Sequence, residues 1–300
     1  MPVSLKAGST QFTIPEEEYM YSGHSGCPGC GVAIALRYTL KALGSKIVMV
    51  VCASCTGTIS GLMPTSCFKI PVVHCAFMAA AATTAGIKQG LKIQGDDETP
   101  VVAWAGDGGT FDIGLQGLSA VAERNEDILF ICADNEAYMN TGIQRSSATP
   151  SGAWTTTSPL GAIKNRPKKN IMEIMIAHEI PYAATATIGY PNDLVRKAAK
   201  AKDIRGTKFL HLLTPCPTGW RYPTELTMEV SRIAVESKLF PLYEVENGNY
   251  KITQLPRKDI PVSDYLKSQG RFSSLNEAEI VNIQGHVDVN WEKLLAKAKI

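Results

Sequence analysis

The sequence predicts an α/β protein: a mainly parallel sheet with helices on both faces, followed by a C-terminal extension. Three observations carry this. Short apolar runs recur along the 300 residues, continuous rather than alternating and rich in β-branched side chains, as strands buried on both faces require. Helix-length segments lie between them, and the repeated order of strand, helix, strand favours parallel pairing through right-handed crossovers. The ends of the apolar runs carry clusters of glycine and polar residues, which is where open parallel sheets bind their ligands.

A helix is expected over 31–43, stopped by Gly44, and a strand over 46–52, KIVMVVC. A helix at 76–91 leads to the strand VVAWAG at 101–106, a helix at 112–124 and the strand ILFICAD at 128–134. Residues 140–169 show no regular period. A structureless loop of that length is functional or disordered, and Trp154 with the threonines 155–157 argues against disorder, so the segment reads as a site cover or a partner contact. A helix at 171–178, a strand at 183–189, a helix at 191–202 and a strand at 208–216 complete the repeat, with Pro191 suited to a first helical turn beside Asn192 and Asp193. Beyond Trp220 the character changes to a helix at 224–237, a hairpin at 241–255 turning on Asn247-Gly248, and a terminal helix at 276–298. The division expected is a cofactor-binding α/β domain over residues 1–222 and an extension, 223–300, packed on it or on a partner subunit.

Composition narrows the function classes. No run of eighteen uncharged apolar residues occurs, and the start MPVSLKAGSTQFTIPEEEYMYSG lacks the basic opening and apolar stretch of a secretory leader, so a cytoplasmic protein without a membrane partner is expected. Thirty basic against 28 acidic side chains leave a net charge of +2, and no basic cluster interleaved with aromatics suggests a nucleic-acid groove. Eight cysteines in such a compartment read as metal ligands or core residues rather than disulfides.

The chemistry concentrates at two strand ends. Gly106 and Gly108 let the backbone approach a bulky anion, Gly109 permits a tight exit, and the helix start beyond them offers unpaired N–H groups to a phosphate. Asp107 supplies a hard carboxylate oxygen. At the tip of the next strand, Asn135 adds an amide oxygen and Ala137 a backbone carbonyl, and a magnesium ion held by so few protein oxygens completes its shell with phosphate and water. The pattern suggests a magnesium diphosphate. The plainer alternative is a strand-to-helix turn in which Asp107 caps the helix. A Rossmann dinucleotide site is disfavoured, because the glycines do not follow G-x-G-x-x-G with an acidic residue at the next strand end.

Five segments extend the comparison: CPGCG at 27–31, HCAF at 74–77, GDGGTFDIGLQGLSA at 106–120, DNEAYMNTGIQRSSATPSGAWTTTSPLG at 134–161 and PCPTGWR at 215–221. GDG followed by the distant Asn resembles the thiamine diphosphate motif. With the other segments, the chain from about residue 20 onward resembles the β subunit of pyruvate:ferredoxin oxidoreductase and related 2-oxoacid:ferredoxin oxidoreductases. The resemblance implies a thiamine diphosphate-binding fold in which Gly106, Asp107, Gly108, Gly109, Asn135, Ala137 and Thr141 hold the diphosphate, with Asp107, Asn135 and Ala137 on the magnesium. It places Asn140 near the reacting carbon, where an amide would donate to a carboxylate or oxyanion. It further implies oxidative decarboxylation of a 2-oxoacid, pyruvate first, with electrons passing singly to ferredoxin and, in most members, an acyl group passing to coenzyme A. α-, γ- and δ-type subunits would be partners. The glutamate that activates the cofactor is expected on the α subunit, so this chain alone would be inactive.

For the cysteines, spacing by itself favours a zinc site of Cys27, Cys30, Cys52 and Cys55. The resemblance instead implies one 4Fe–4S cluster on Cys27, Cys30, Cys55 and Cys216. Cys52 continues an apolar run, while Cys216 stands between two prolines in a loop; Cys67, Cys75 and Cys132 read as core residues, and His24 and His74 as structural. One departure bears on substrate: family members commonly carry Phe-Glu-Asn where this chain has Phe77-Met78-Ala79, and the segment after Cys55 also differs, which puts a standard pyruvate pocket in doubt and admits oxalate or a branched-chain 2-oxoacid. A non-redox thiamine enzyme and a zinc-stabilised interaction subunit are the other function classes.

Overall fold

The computed structural model describes residues 14–62 and 64–299; the first thirteen residues of the N-terminal stretch read above lie outside them. Eight strands form one sheet: β1 (Val48–Cys52), β2 (Val72–Cys75), β3 (Val101–Gly106), β4 (Leu129–Asp134), β5 (Tyr182–Thr187), β6 (Lys208–Leu213), β7 (Leu242–Glu246) and β8 (Asn249–Gln254). Their order is β2-β1-β3-β4-β6-β5-β7-β8. Pairing is parallel from β2 through β5, and β7 and β8 join antiparallel. The hairpin of the C-terminal extension thus continues the same sheet rather than founding another. Its turn carries Asn247 at φ 47° and Gly248 at φ 78°, the two left-handed positions that a two-residue hairpin turn needs.

The helices are α1 (Gly31–Leu43), α2 (Cys55–Ser60), α3 (Ala80–Ile93), α4 (Leu115–Glu123), α5 (Ile171–Ile176), α6 (Pro191–Asp203), α7 (Pro217–Trp220), α8 (Thr227–Glu236), α9 (Val262–Lys267) and α10 (Glu277–Ala298). On one face of the sheet α1 packs Leu36 and Leu40 with Leu194 and Ala198 of α6, beneath Val51, Trp104 and Ile131. The other face is covered by α3, α4 and α5 through Ala81, Leu118 and Met172. Because β3 to β6 are covered on both sides, they tolerate no alternation, which explains their continuous apolar character. Each fully buried large side chain contributes about 1.5–3 kcal/mol. A third cluster, around Trp220, Val235, Leu242, Tyr265 and Phe272, joins the extension to the end of β6.

Two of the elements that escape the sequence signals lie beside β1. β2 is a four-residue edge strand whose side chains are only partly covered, so no apolar run marks it. The short α2, CTGTIS, contains a glycine and β-branched residues that form helix poorly, and it is held by its place at the end of β1. No described helix is long and apolar enough to cross a membrane.

Candidate active site

The sheet order gathers the motifs. β1, β3, β4 and β6 are neighbours, so the residues following their carboxyl ends, Cys55, Asp107, Asn135 and Cys216, arrive at one end of the molecule. A cavity of about 180 Å³ opens there, lined by Cys55, Phe77, the four residues Gly106 to Gly109, Asn135 and residues 137–141. A larger cavity of about 280 Å³ lies at the amino ends of the strands. Its Lys88, Arg205 and Lys208 are already paired with Asp127 at 3.4, 3.0 and 2.6 Å, and none of the motifs reaches it.

The chain leaves β3 at Gly106 and turns at once into a π-helical turn, Gly108–Asp112, before α4 begins. The helical N–H groups therefore start one residue after Asp107, earlier than the expected 112. Gly108 is required by packing: a Cβ there would fall 2.2 Å from a ring carbon of Tyr138, whose hydroxyl donates to Asp112 Oδ2 at 2.9 Å. Gly106 has no such neighbour.

Asp107 is 1% exposed, and burial, with the nearby Asp134 charge, raises its carboxyl well above the ordinary range. Ser146 donates to Asp107 Oδ2 at 2.5 Å. The Asn135 amide nitrogen donates to Ala137 O at 3.0 Å and to Asp107 Oδ1 at 3.1 Å, with the amide oxygen toward Cys55. Asp107 Oδ1, Ala137 O and the Asn135 amide are thus within hydrogen-bond distance of one another. With the amide turned by half a rotation, the three groups would offer three oxygens to a hard cation such as Mg²⁺, from one side only, as a cation shared with a phosphate requires.

A buried ionic network surrounds these groups. Asp134 takes bonds from His211 Nε2 at 2.7 Å and Lys168 Nζ at 2.5 Å. Burial works against its charge, but Lys168 and His211 outweigh it and hold the carboxyl down at about 2. Glu136 is clamped by Lys168 at 2.7 Å and by Arg271 at 2.6 Å, and it occupies the left-handed region at φ 65°. This conformation, uncommon for a residue with a side chain, turns the backbone between Asn135 and Ala137. Trp220 Nε1 donates to Asn135 O at 2.8 Å, and Arg271 stacks on Trp220 at 3.8 Å. The 140–169 segment, read from sequence as a site cover or a partner contact, puts Asn140 and Thr141 on the cavity and buries Ser146, Ala148, Thr149, Ala153 and Lys164, with Thr149 donating to Glu136 O at 2.7 Å, while most of its other residues are exposed or half-buried.

Four cysteines meet beside the oxygens. Cys30 N bonds Cys27 O at 3.1 Å in the C-x-x-C turn, and Gly31 N bonds Pro215 O at 3.1 Å, which seats the start of α1 against the loop carrying Cys216. A Cβ at Gly31 would lie 2.5 Å from that carbonyl, so only glycine permits the approach. The thiols feel one another: burial first, then Cys216 and Cys30, push Cys55 up to about 12, while burial, offset by the Gly219 N–H and reinforced by Cys30 and Cys27, pushes Cys216 up to about 11. Cys52 is fully buried on the opposite face, paired in register with Cys75, and belongs with α3 and α4 rather than with Cys27, Cys30 and Cys55. Among the described residues, no three His, Cys, Asp or Glu side chains are close enough to hold a single ion.

Asn140 lines the cavity and accepts from Thr58 Oγ1 at 3.2 Å. Thr141 gives its hydroxyl to Gln144 Oε1 at 2.5 Å and so closes the turn. His24 and His74 bond only near neighbours, Gly26 N and Ser60 Oγ. The sequence reading missed Ser146, Glu136, Lys168, His211 and Arg271. Only Glu136 carries a sequence signal, a charge placed just beyond an apolar strand in ADNE.

Comparison with known proteins agrees with this geometry. The family model for the C-terminal TPP-binding domain of thiamine pyrophosphate enzymes matches residues 62–212. The ketoisovalerate oxidoreductase subunit VorB of Pyrococcus furiosus is 49% identical over 298 residues, covering 96% of each chain. The pyruvate synthase subunit PorB of Methanothermobacter marburgensis is 49% identical over 284 residues, 94% of this chain and 99% of that one. PorB of Thermotoga maritima is 41% identical, covering 100% and 98%. A solved 2-oxoglutarate:ferredoxin oxidoreductase from Magnetococcus marinus shares the fold at a TM-score of 0.56 and 21% identity, over 71% of this chain and 79% of that chain. The chain belongs to the thiamine pyrophosphate-binding β subunits of the 2-oxoacid:ferredoxin oxidoreductases.

Proposed function

We propose that this subunit holds the magnesium diphosphate end of thiamine diphosphate on Asp107, Asn135 and Ala137, and one 4Fe–4S cluster on Cys27, Cys30, Cys55 and Cys216. The observation that carries the reading is that one cavity is lined by Asp107, Asn135 and Cys55 together, so reaction centre and electron exit share a wall. Thiamine diphosphate bound there supplies a carbon nucleophile for the 2-oxo carbon and a sink for the electron pair left by decarboxylation. The chain's own residues do the rest. Asp107, once deprotonated, and the Asn135 and Ala137 oxygens fix the cation; the start of the Gly108 turn offers N–H groups to the phosphates; Asn140 projects an amide at the cavity mouth toward a substrate carboxylate.

Relatives named for pyruvate and for ketoisovalerate are equally similar, so overall identity favours neither substrate. Phe77 and Met139 give the cavity apolar walls, which suits an aliphatic 2-oxoacid, pyruvate or branched-chain, over oxalate. Electrons would leave through the cluster to ferredoxin, coenzyme A would take the acyl group, and α-, γ- and δ-type subunits would complete a cytoplasmic enzyme. Residues 223–300 would act as one folded unit with residues 1–222, through the shared sheet. The test is dye or ferredoxin reduction by the anaerobic complex with pyruvate, 2-oxoglutarate, branched-chain 2-oxoacids and oxalate, each with and without coenzyme A. Reduction by an aliphatic 2-oxoacid only with coenzyme A is the expected result; coenzyme-independent reduction by oxalate would overturn the substrate assignment.

A further inference from the structure

Asn140 is a polar group at the cavity mouth, and the fold holds its backbone and its side chain separately. The backbone sits in a tight turn: the N–H groups of Gly142 and Ile143 both bond Met139 O, at 3.2 and 3.3 Å, and Gln144 Nε2 closes on Thr141 O at 2.8 Å. Ile143 adopts φ 65° there, a conformation that a β-branched residue takes only under outside constraint. None of these bonds reaches the Asn140 amide. Among the described residues its one hydrogen-bond partner is Thr58, 82 positions earlier, whose Oγ1 donates to Oδ1 at 3.2 Å.

Thr58 is aimed by α2. Thr56, Ile59 and Ser60 are buried, Ile59 in the cluster that holds α1 and Ser60 with its hydroxyl on Gly57 O at 2.8 Å, which fixes the roll of the helix. Thr58 lies three residues after Cys55, on the same side of the turn, and Cys55 lines the cavity. One short helix therefore supplies both a wall of the cavity and the hydroxyl at its rim.

An amide has a donor end and an acceptor end, and a hydroxyl that donates to Oδ1 decides which of them faces the cavity. With its oxygen on Thr58, Asn140 keeps both Nδ2 hydrogens for an anion. Released from Thr58, the amide turns freely, and the orientations that present oxygen repel a carboxylate.

Resting on the assignment of Asn140 to the substrate carboxylate, we propose that Thr58 is a positioning residue for 2-oxoacid binding: it holds the Asn140 amide with its nitrogen toward the substrate. The carboxylate is common to every 2-oxoacid and carries its full charge before any bond breaks. Thr58 therefore acts on substrate binding, equally for short and branched chains, and not on the rate once substrate is bound.

The experiment is steady-state dye reduction by the anaerobic complex with each 2-oxoacid it oxidises, with thiamine, iron and sulfide measured in every preparation. Thr58→Val keeps the shape and removes the donor: KM should rise about fivefold, roughly the worth of one hydrogen bond, by the same factor for each substrate, with kcat not lowered and cofactor contents unchanged. Thr58→Ser restores the donor and should return KM to the wild-type value. In Asn140→Ala, where no amide remains to be positioned, adding Thr58→Val should raise KM no further. Should Thr58→Val lose iron, because α2 also carries Cys55, Thr58→Ala, a better helix former, takes its place with the same expectations. Wild-type KM in the Thr58 variant while Asn140→Ala raises it would overturn the proposal and leave the Asn140 assignment standing. A lower kcat at unchanged KM, or fully additive effects of the two substitutions, would overturn it too. Wild-type KM in Asn140→Ala would remove that assignment and the proposal with it.

Discussion

Arg271→Met tests whether the C-terminal extension sets the magnesium ligands. The Arg271 side chain is 3% exposed and that of Glu136 1%, with 2.6 Å between them, and the guanidinium stacks 3.8 Å from the Trp220 ring centre. Removing one partner of a buried ion pair costs about 3–5 kcal/mol, because the other charge is left without compensation. Lys168 still bonds Glu136 at 2.7 Å, so the lower end, about 3 kcal/mol, is the expected loss. Methionine keeps much of the contact with Trp220, which confines the change to charge and hydrogen bonding. Denaturant unfolding of the subunit should show the midpoint fall at unchanged slope. Since Glu136 holds its left-handed backbone between Asn135 and Ala137, magnesium-dependent thiamine diphosphate binding by the complex should also weaken by about tenfold, roughly 1.4 kcal/mol. Adding Glu136→Gln should recover part of the stability, because the stranded charge is gone, but none of the cofactor affinity. A variant with wild-type midpoint and wild-type affinity would refute the clamp.

Other outcomes follow from the same contacts. Cys216→Ser should lose the iron–sulfur signal while Cys52→Ser keeps it, read by iron and sulfide content; the reverse would restore the pairing of two C-x-x-C motifs. Gly108→Ala should cost about 1–3 kcal/mol and release bound thiamine, because Tyr138 must swing off the turn. Lys197 is fully buried on Asp193, Thr185 O and Thr253, and burial holds its ammonium down at about 8. Between that value and the unfolded value near 10.4 the unfolded chain binds more protons, so stability rises with pH there. Relative to Lys197→Met, the wild type should gain about 2 kcal/mol between about pH 7 and about pH 9.5, and equal slopes in the two proteins would refute this reading.

The parallel core, the hairpin turn and both polar strand ends were legible because each rests on local signals: continuous apolar runs, Asn247-Gly248, and glycines after a strand. The choice between Cys52 and Cys216 was not a matter of spacing. It depends on β1 turning Cys52 toward α3 and α4, and on β6 lying beside β4, which carries Cys216 from the far end of the sequence. The supporting charges were invisible for the same reason. Arg271 meets Glu136 across 135 positions and Ser146 meets Asp107 across 39, and no periodicity reports which buried charge or hydroxyl will find which.

Asp107→Ala in the complex, purified without oxygen and assayed for thiamine, iron and sulfide in one preparation, tests the central claim most directly. The expected preparation has lost its thiamine and kept four iron atoms at this chain's cysteines. Full thiamine occupancy in that variant would contradict the assignment of the magnesium site to Asp107, Asn135 and Ala137.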